Sequence, residues 1–141
     1  MPRHSDVPLP ERLGLTLGGR LLIGGEVPEG FLDTLAPLPE GTKCLRWPAD
    51  HATGPADHIL FFARTRASLV LELVQLSAAI TPKGAIWVAW PKKFARTANE
   101  LTEDMVREIA VPIGVMDTKV CSLNDQWVGM RLAWRKENRP R

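Results

Sequence analysis

Apolar residues fall along this chain in two rhythms. Ile59 to Ala63 and Ala85 to Trp90 are apolar at every position, as in strands of a parallel sheet with both faces covered. Between them Leu69, Leu73, Leu76 and Ile80 stand at i, i+4, i+7 and i+11, one stripe of a helix that Pro82 and Gly84 are expected to end. Upstream, Leu21 to Ile23 within RLLIGG reads as a short buried first strand, and TKCLRW (42–47), closed by Pro48, as a second. Short helical turns are expected at Leu9 to Leu13, with Pro10 in the first turn and Gly14 past its end, and at Phe31 to Leu35 before Pro37 and Pro39.

Downstream of the second apolar run, Thr102 is placed to accept a hydrogen bond from a first-turn amide of a helix, with Glu103 and Asp104 near its positive end. Leu101 and Val106 are spaced for a hydrophobic staple. Val106, Ile109 and Ile113 form the buried side, and Pro112 closes the regular helix. In VMDTKVCSLNDQWVGMRLAW two strand-like runs flank LNDQ, and Val128, Met130, Leu132 and Trp134 alternate with Gly129, Arg131 and Ala133. That pattern predicts a hairpin with one wetter face.

The order of elements implies one α/β domain over residues 9–134: a three-layer, Rossmann-like, mostly parallel sheet that ends in an antiparallel C-terminal hairpin. Residues 1–8 read as a flexible arm, and 135–141, RKENRPR, as a basic, loosely attached tail. Trp87 and Phe61 are expected beneath helices, and Trp47, Trp127 and Trp134 at the sheet margins.

Composition narrows the function classes. A chain of 141 residues with 45% hydrophobic and 24% charged residues is ordinary for a folded soluble domain. Eighteen basic against 16 acidic residues leave a net charge of +2, which gives no support for long-range attraction to nucleic acid. Cys44 and Cys121 are too few for a disulfide scaffold, and two reduced, packed thiols are expected. With no leader-like segment and no apolar run near the roughly 20 residues of a membrane span, a cytoplasmic protein without a membrane partner is expected.

Asp57 with the apolar run after it, a helix, PKGAIWVAW, another helix and a hairpin together resemble the second half of the class I methyltransferase sheet. That likeness implies the strand order 2-1-3-4-6-5, with one strand and one helix of the usual first half missing. ADHILFF, GAIWVAWPKK and LTEDMVREIAVPIGVMDTKVCSLNDQWVGMRLAWRKE also resemble the bacterial domain-of-unknown-function family 3052, most closely from Asp57 onward. This second resemblance implies a small cytoplasmic bacterial protein, and it brings neither a catalytic residue nor a substrate.

Candidate chemistry lies where parallel strands end, since ligands of open α/β sheets bind at that edge. Gly24 and Gly25 start the turn GGEVPEGF, whose spacing is not G-x-G-x-x-G. Pro28 removes an amide donor there, and Glu26 and Glu29 repel phosphate, so a dinucleotide is not expected. S-adenosylmethionine, a sulfonium, is less strongly excluded and stays open as an alternative, with Asp50 near a ribose-binding position; no cofactor is otherwise expected. Arg64, Arg66, Lys92, Lys93 and Arg96 belong to loops on the same edge and predict a surface that attracts a small anionic ligand, with Trp90 as an apolar wall, although an aromatic at the end of a central strand more often packs beneath a helix. The plainer account is solvated loop charge.

Cys44, His51 and His58, with Asp50 and Asp57 beside the histidines, lack the spacing of compact metal sites, so no metal is expected. Cys121, Ser68 and Ser77 stand in no nucleophile motif, and Glu103, Asp104 and Glu108 read as helix-surface charge. Three functions remain open. The leading one is a non-catalytic or degenerate methyltransferase-like module that binds a small anionic ligand or a protein partner. The others are a small S-adenosylmethionine-dependent enzyme and a nucleic-acid accessory acting through Arg135, Lys136, Arg139 and Arg141.

Overall fold

Strands that are apolar at every position need a core on each side, and the sheet supplies two. The computed structural model describes residues 7–15, 18–48, 54–93 and 100–139. Along the chain run α1 (Leu9–Arg12), β1 (Arg20–Gly25), α2 (Phe31–Thr34), β2 (Lys43–Arg46), β3 (Ala56–Phe62), α3 (Arg66–Ala78), β4 (Ile80–Pro91), α4 (Glu103–Ala110), β5 (Val115–Ser122) and β6 (Trp127–Trp134). The six strands form one sheet in the order β2-β1-β3-β4-β6-β5. β1 pairs in parallel with β2 and β3, and β3 with β4, while β6 runs antiparallel between β4 and β5. This is the Rossmann-like order that the resemblance to the class I methyltransferase sheet implies.

Alternation along β3 and β4 splits their side chains between the layers. Ile59, Phe61, Ile86, Val88 and Trp90 pack with Leu69, Leu73 and Leu76 of α3 and Val106 of α4. Leu60, Phe62, Trp87 and Ala89 face the other way, toward Leu9, Leu13, Phe31 and Leu35. The Trp87 indole N–H donates to the Leu13 carbonyl at 3.0 Å, so the second face is held by a polar contact as well as by packing. Cover on the two faces is unequal: α3 and α4 have 13 and 8 residues, whereas α1 and α2 have 4 each.

The helix expected to reach Ile80 stops at Ala78, and Ile80, Pro82 and Gly84 belong to β4. Ile80 is buried by pairing with Ala56, whose amide also donates to the Ala79 carbonyl at 2.8 Å. Because the ladder slips between Ala56 and His58, Pro82 lies outside the paired positions and its missing N–H leaves no gap. The start of α4 follows its sequence signals. The Thr102 hydroxyl accepts from the Met105 amide at 3.2 Å, Leu101 and Val106 are both buried, and Pro112 sits in a 3-10 turn, Val111–Ile113, just past the helix.

Two expectations are corrected. Cys44 is exposed, because β2 is an edge strand with all four residues exposed. The first part of the tail is anchored: the Arg135 amide donates to the Gly114 carbonyl at 3.1 Å, and Lys136–Asn138 form a 3-10 turn. Arg141 and the arm residues 1–6 lie outside the described residues. Among the described residues no helix is long and apolar enough to cross a membrane.

Candidate functional site

Parallel β1, β3 and β4 end on one edge of the sheet. Phe62 pairs with Ala89, and the Ala63 amide donates to the Ala89 carbonyl at 2.9 Å, so Arg64 and the Pro91–Lys92 segment leave the sheet side by side. The glycine turn after β1 reaches the same edge but is closed by the chain itself. A Cβ on Gly24 would lie 2.7 Å from the Trp47 Cβ. Gly25 has φ +82°, and a Cβ there would overlap the Phe62 carbonyl oxygen, which accepts the Glu26 amide at 2.9 Å. These glycines serve close contacts within the protein, and the Glu26 amide is already used.

Two of the five expected cations on this edge, Arg64 and Arg66, meet carboxylates. The Arg64 guanidinium lies 2.9 Å from Glu100, whose side chain is only 6% exposed, and 5.2 Å from the centre of the Trp127 ring. Its carbonyl accepts the Leu101 amide at 2.8 Å, so Arg64 fastens the entry of α4 to the end of β3. Arg66 reaches Glu108 at 3.6 Å across the exposed surfaces of α3 and α4. Trp90 is buried in the core with Leu69 and Leu101, which corrects its reading as a ligand wall. Lys93 is exposed, and Arg96 and Asp50 lie outside the described residues.

Lys92 has different company. Its ammonium donates to the Ser122 hydroxyl at 2.6 Å, and its amide donates to the Gln126 carbonyl at 2.8 Å. Ser122 also holds Arg12, and Arg12 in turn holds Lys119. Its carbonyl accepts from Arg12 Nη1 at 2.6 Å, and the Arg12 carbonyl accepts from Lys119 Nζ at 3.0 Å. The hydroxyl in turn donates to the Asn124 carbonyl at 3.0 Å. Asn124 Oδ1 accepts the Gln126 and Trp127 amides, which fixes the turn that presents Ser122. Arg12, Lys92 and Lys119 have no carboxylate at ion-pair distance among the described residues.

Titration behaviour follows from these surroundings. Burial pushes the Cys121 thiol up, while the nearby Lys119 and Arg12 charges pull it down. At the other end of the same sheet face, burial and then the Arg131 charge lower the His58 imidazole, against an upward pull from Asp57. The Asp57 carboxylate accepts the Arg20 amide at 2.8 Å, a structural contact. No three metal-ligating side chains gather among the described residues, and His51 lies outside them.

Sequence reasoning singled out Lys92 and missed Arg12, Lys119 and Ser122, which are remote from it in the chain. A partial signal existed in the hairpin, where Lys119 pairs with Arg131 and Cys121 with Gly129 on the thinly covered face.

The family model described as "Protein of unknown function (DUF3052)" matches residues 49–136. No curated protein matches the sequence. Among solved structures, an O-methyltransferase from neocarzinostatin biosynthesis, in complex with S-adenosylmethionine, is similar with a TM-score of 0.64 and 14% identity, over 83% of this chain and 49% of its own. Mitomycin 7-O-methyltransferase matches with a TM-score of 0.63 and 11% identity, over 94% and 54%. Magnesium protoporphyrin IX methyltransferase from Synechocystis PCC 6803, with S-adenosylmethionine bound, matches at 0.57 and 11%, over 94% and 77%. The chain spans 40% to 54% of the length of the first four structures it matches. At these identities the likeness is one of fold. At the glycine turn Trp47 lies against Gly24, and Phe62, the ladder partner of Gly25, lies against Gly25.

Proposed function

The chain belongs to the DUF3052 family, and from that premise we propose that it is a non-catalytic methyltransferase-like module that holds a small anionic ligand at the C-terminal rim of its sheet. One observation carries the proposal: the turn after β1 is closed by Trp47 over Gly24 and by the bond from the Glu26 amide to the Phe62 carbonyl. A nucleotide-type ligand needs free backbone amides and bare glycine at that turn. Here the glycines admit the protein's own side chain and carbonyl instead. Among the described residues no carboxylate pairs with Lys92 or Lys93, the two lysines that follow the central strand.

Calorimetry with S-adenosylmethionine and S-adenosylhomocysteine, beside a panel of small carboxylates and phosphates, tests this reading. The expected result is heat from an anion of the panel and none from either adenosyl compound. Micromolar affinity for either adenosyl compound would favour the second reading, a small S-adenosylmethionine-dependent enzyme, which draws its support from methyltransferases of the same fold solved with that molecule.

A further inference from the structure

We propose that Arg12, Lys92 and Lys119 form a binding site for a phosphate dianion at the end of the β5–β6 hairpin. The inference rests on the reading of the rim as an anion surface, and it adds the residues and the ligand chemistry. Three cations from three separate parts of the chain are tied together by three hydrogen bonds, through the Ser122 hydroxyl, the Ser122 carbonyl and the Arg12 carbonyl. Each acceptor is neutral, so these bonds orient the cations without cancelling their charge. Arg64, Arg66 and Arg107, by contrast, all have carboxylate partners. Among the described residues these like charges meet no carboxylate and so repel, and Arg12 and Lys92 are half-buried, where water screens them less. An anion seated among them relieves that repulsion.

The donor set favours phosphate. Arg12 Nε donates to the Val7 carbonyl at 3.0 Å while Nη1 holds Ser122, which fixes the guanidinium plane in advance. A planar guanidinium with two ammonium groups matches an oxyanion of several acceptor oxygens, and three positive charges suit a dianion better than a monoanion. The dianion can come from a free phosphomonoester or from inorganic phosphate, and a nucleic-acid backbone offers only monoanionic diesters.

The test is a titration of the whole chain with inorganic phosphate, pyrophosphate and a short single-stranded oligonucleotide, against chloride at equal ionic strength, followed by amide NMR shifts. The expected result is saturable shifts at Lys92, Lys119, Cys121 and Ser122 with phosphate or pyrophosphate. Arg12→Gln, Lys92→Met and Lys119→Met should each weaken binding about tenfold or more, as loss of a charge-assisted bond does, while Lys43→Met, exposed at the start of β2 at the opposite end of the parallel strands, leaves it unchanged. Lys119 is exposed, so its variant remains informative if Arg12→Gln fails to fold. Binding that survives Arg12→Gln and Lys119→Met but is lost in Lys93→Met would overturn this site and leave the rim reading standing. Shifts from the oligonucleotide alone would overturn it too. So would an absence of shifts with phosphate and pyrophosphate, and the rim reading falls with it only if the carboxylates of the panel also fail to bind.

Discussion

Two stretches of one sheet rim are built on opposite principles. Over β1 and β3 the chain closes on itself: Trp47 covers Gly24, Phe62 holds Glu26, and the Arg64 charge is cancelled by Glu100. Over β4 and the hairpin, Arg12, Lys92 and Lys119 converge on neutral acceptors around Ser122. A compact and neutral stretch contributes to stability, whereas cations that meet only neutral acceptors among the described residues contribute little and keep their charge. Position at the strand ends, which in open α/β sheets marks a ligand site, therefore does not by itself distinguish the two uses.

Gly25→Ala should break this contrast most severely. A side chain at φ +82° that also overlaps the Phe62 carbonyl is expected to destabilise the fold by about 3 kcal/mol or more in chemical denaturation. A loss below about 1 kcal/mol would mean that the turn opens readily and that the closed half is not structural. Glu100→Ala ranks next. It removes the partner of Arg64, yet the Arg64 side chain is 43% exposed and keeps water, so the expected loss is about 1–2 kcal/mol, well short of a fully buried pair.

Acid dependence probes the opposite end of the sheet face that carries the charged stretch. The His58 imidazole is held below its ordinary value of about 6.5, first by burial and then by Arg131. A base depressed in the folded state takes its proton more readily in the unfolded chain. Its contribution to stability is thus complete above about pH 6.5 and is lost as pH falls from there toward the folded value. Arg131→Gln should raise the imidazole value and shrink that acid-side loss, as NMR titration of His58 would record. An unmoved titration would show that Arg131 is not felt across that face.

The smallest effect belongs to Lys119→Met, expected to change stability by less than about 0.5 kcal/mol, because its bond to the Arg12 carbonyl is exposed. A larger loss would make that cation structural and blur the contrast.

Local pattern carried the fold a long way. Continuous apolarity in β3 and β4, the 42–47 run, the Thr102 cap and the alternation in β6 each express a local requirement and predict the elements, while the strand order was expected only through the resemblance to the class I methyltransferase sheet. The end of α3 was misread because Ile80 continues the helical stripe by spacing, while its burial comes from pairing with Ala56. At the rim, sequence could place Arg64, Arg66 and Lys92 at strand ends but could not assign their partners. Trp90 was legible as either wall or core, and only packing against α3 and α4 decided for core.

The sequence alone determined the architecture and the edge to inspect, because strands, caps and turns depend on neighbours within a few positions. Tertiary structure decided which glycines were already filled, which cations met carboxylates, and that Arg12 and Lys119 stand with Lys92 around Ser122. Such pairings depend on distances between segments roughly thirty to a hundred residues apart, which chain spacing does not encode.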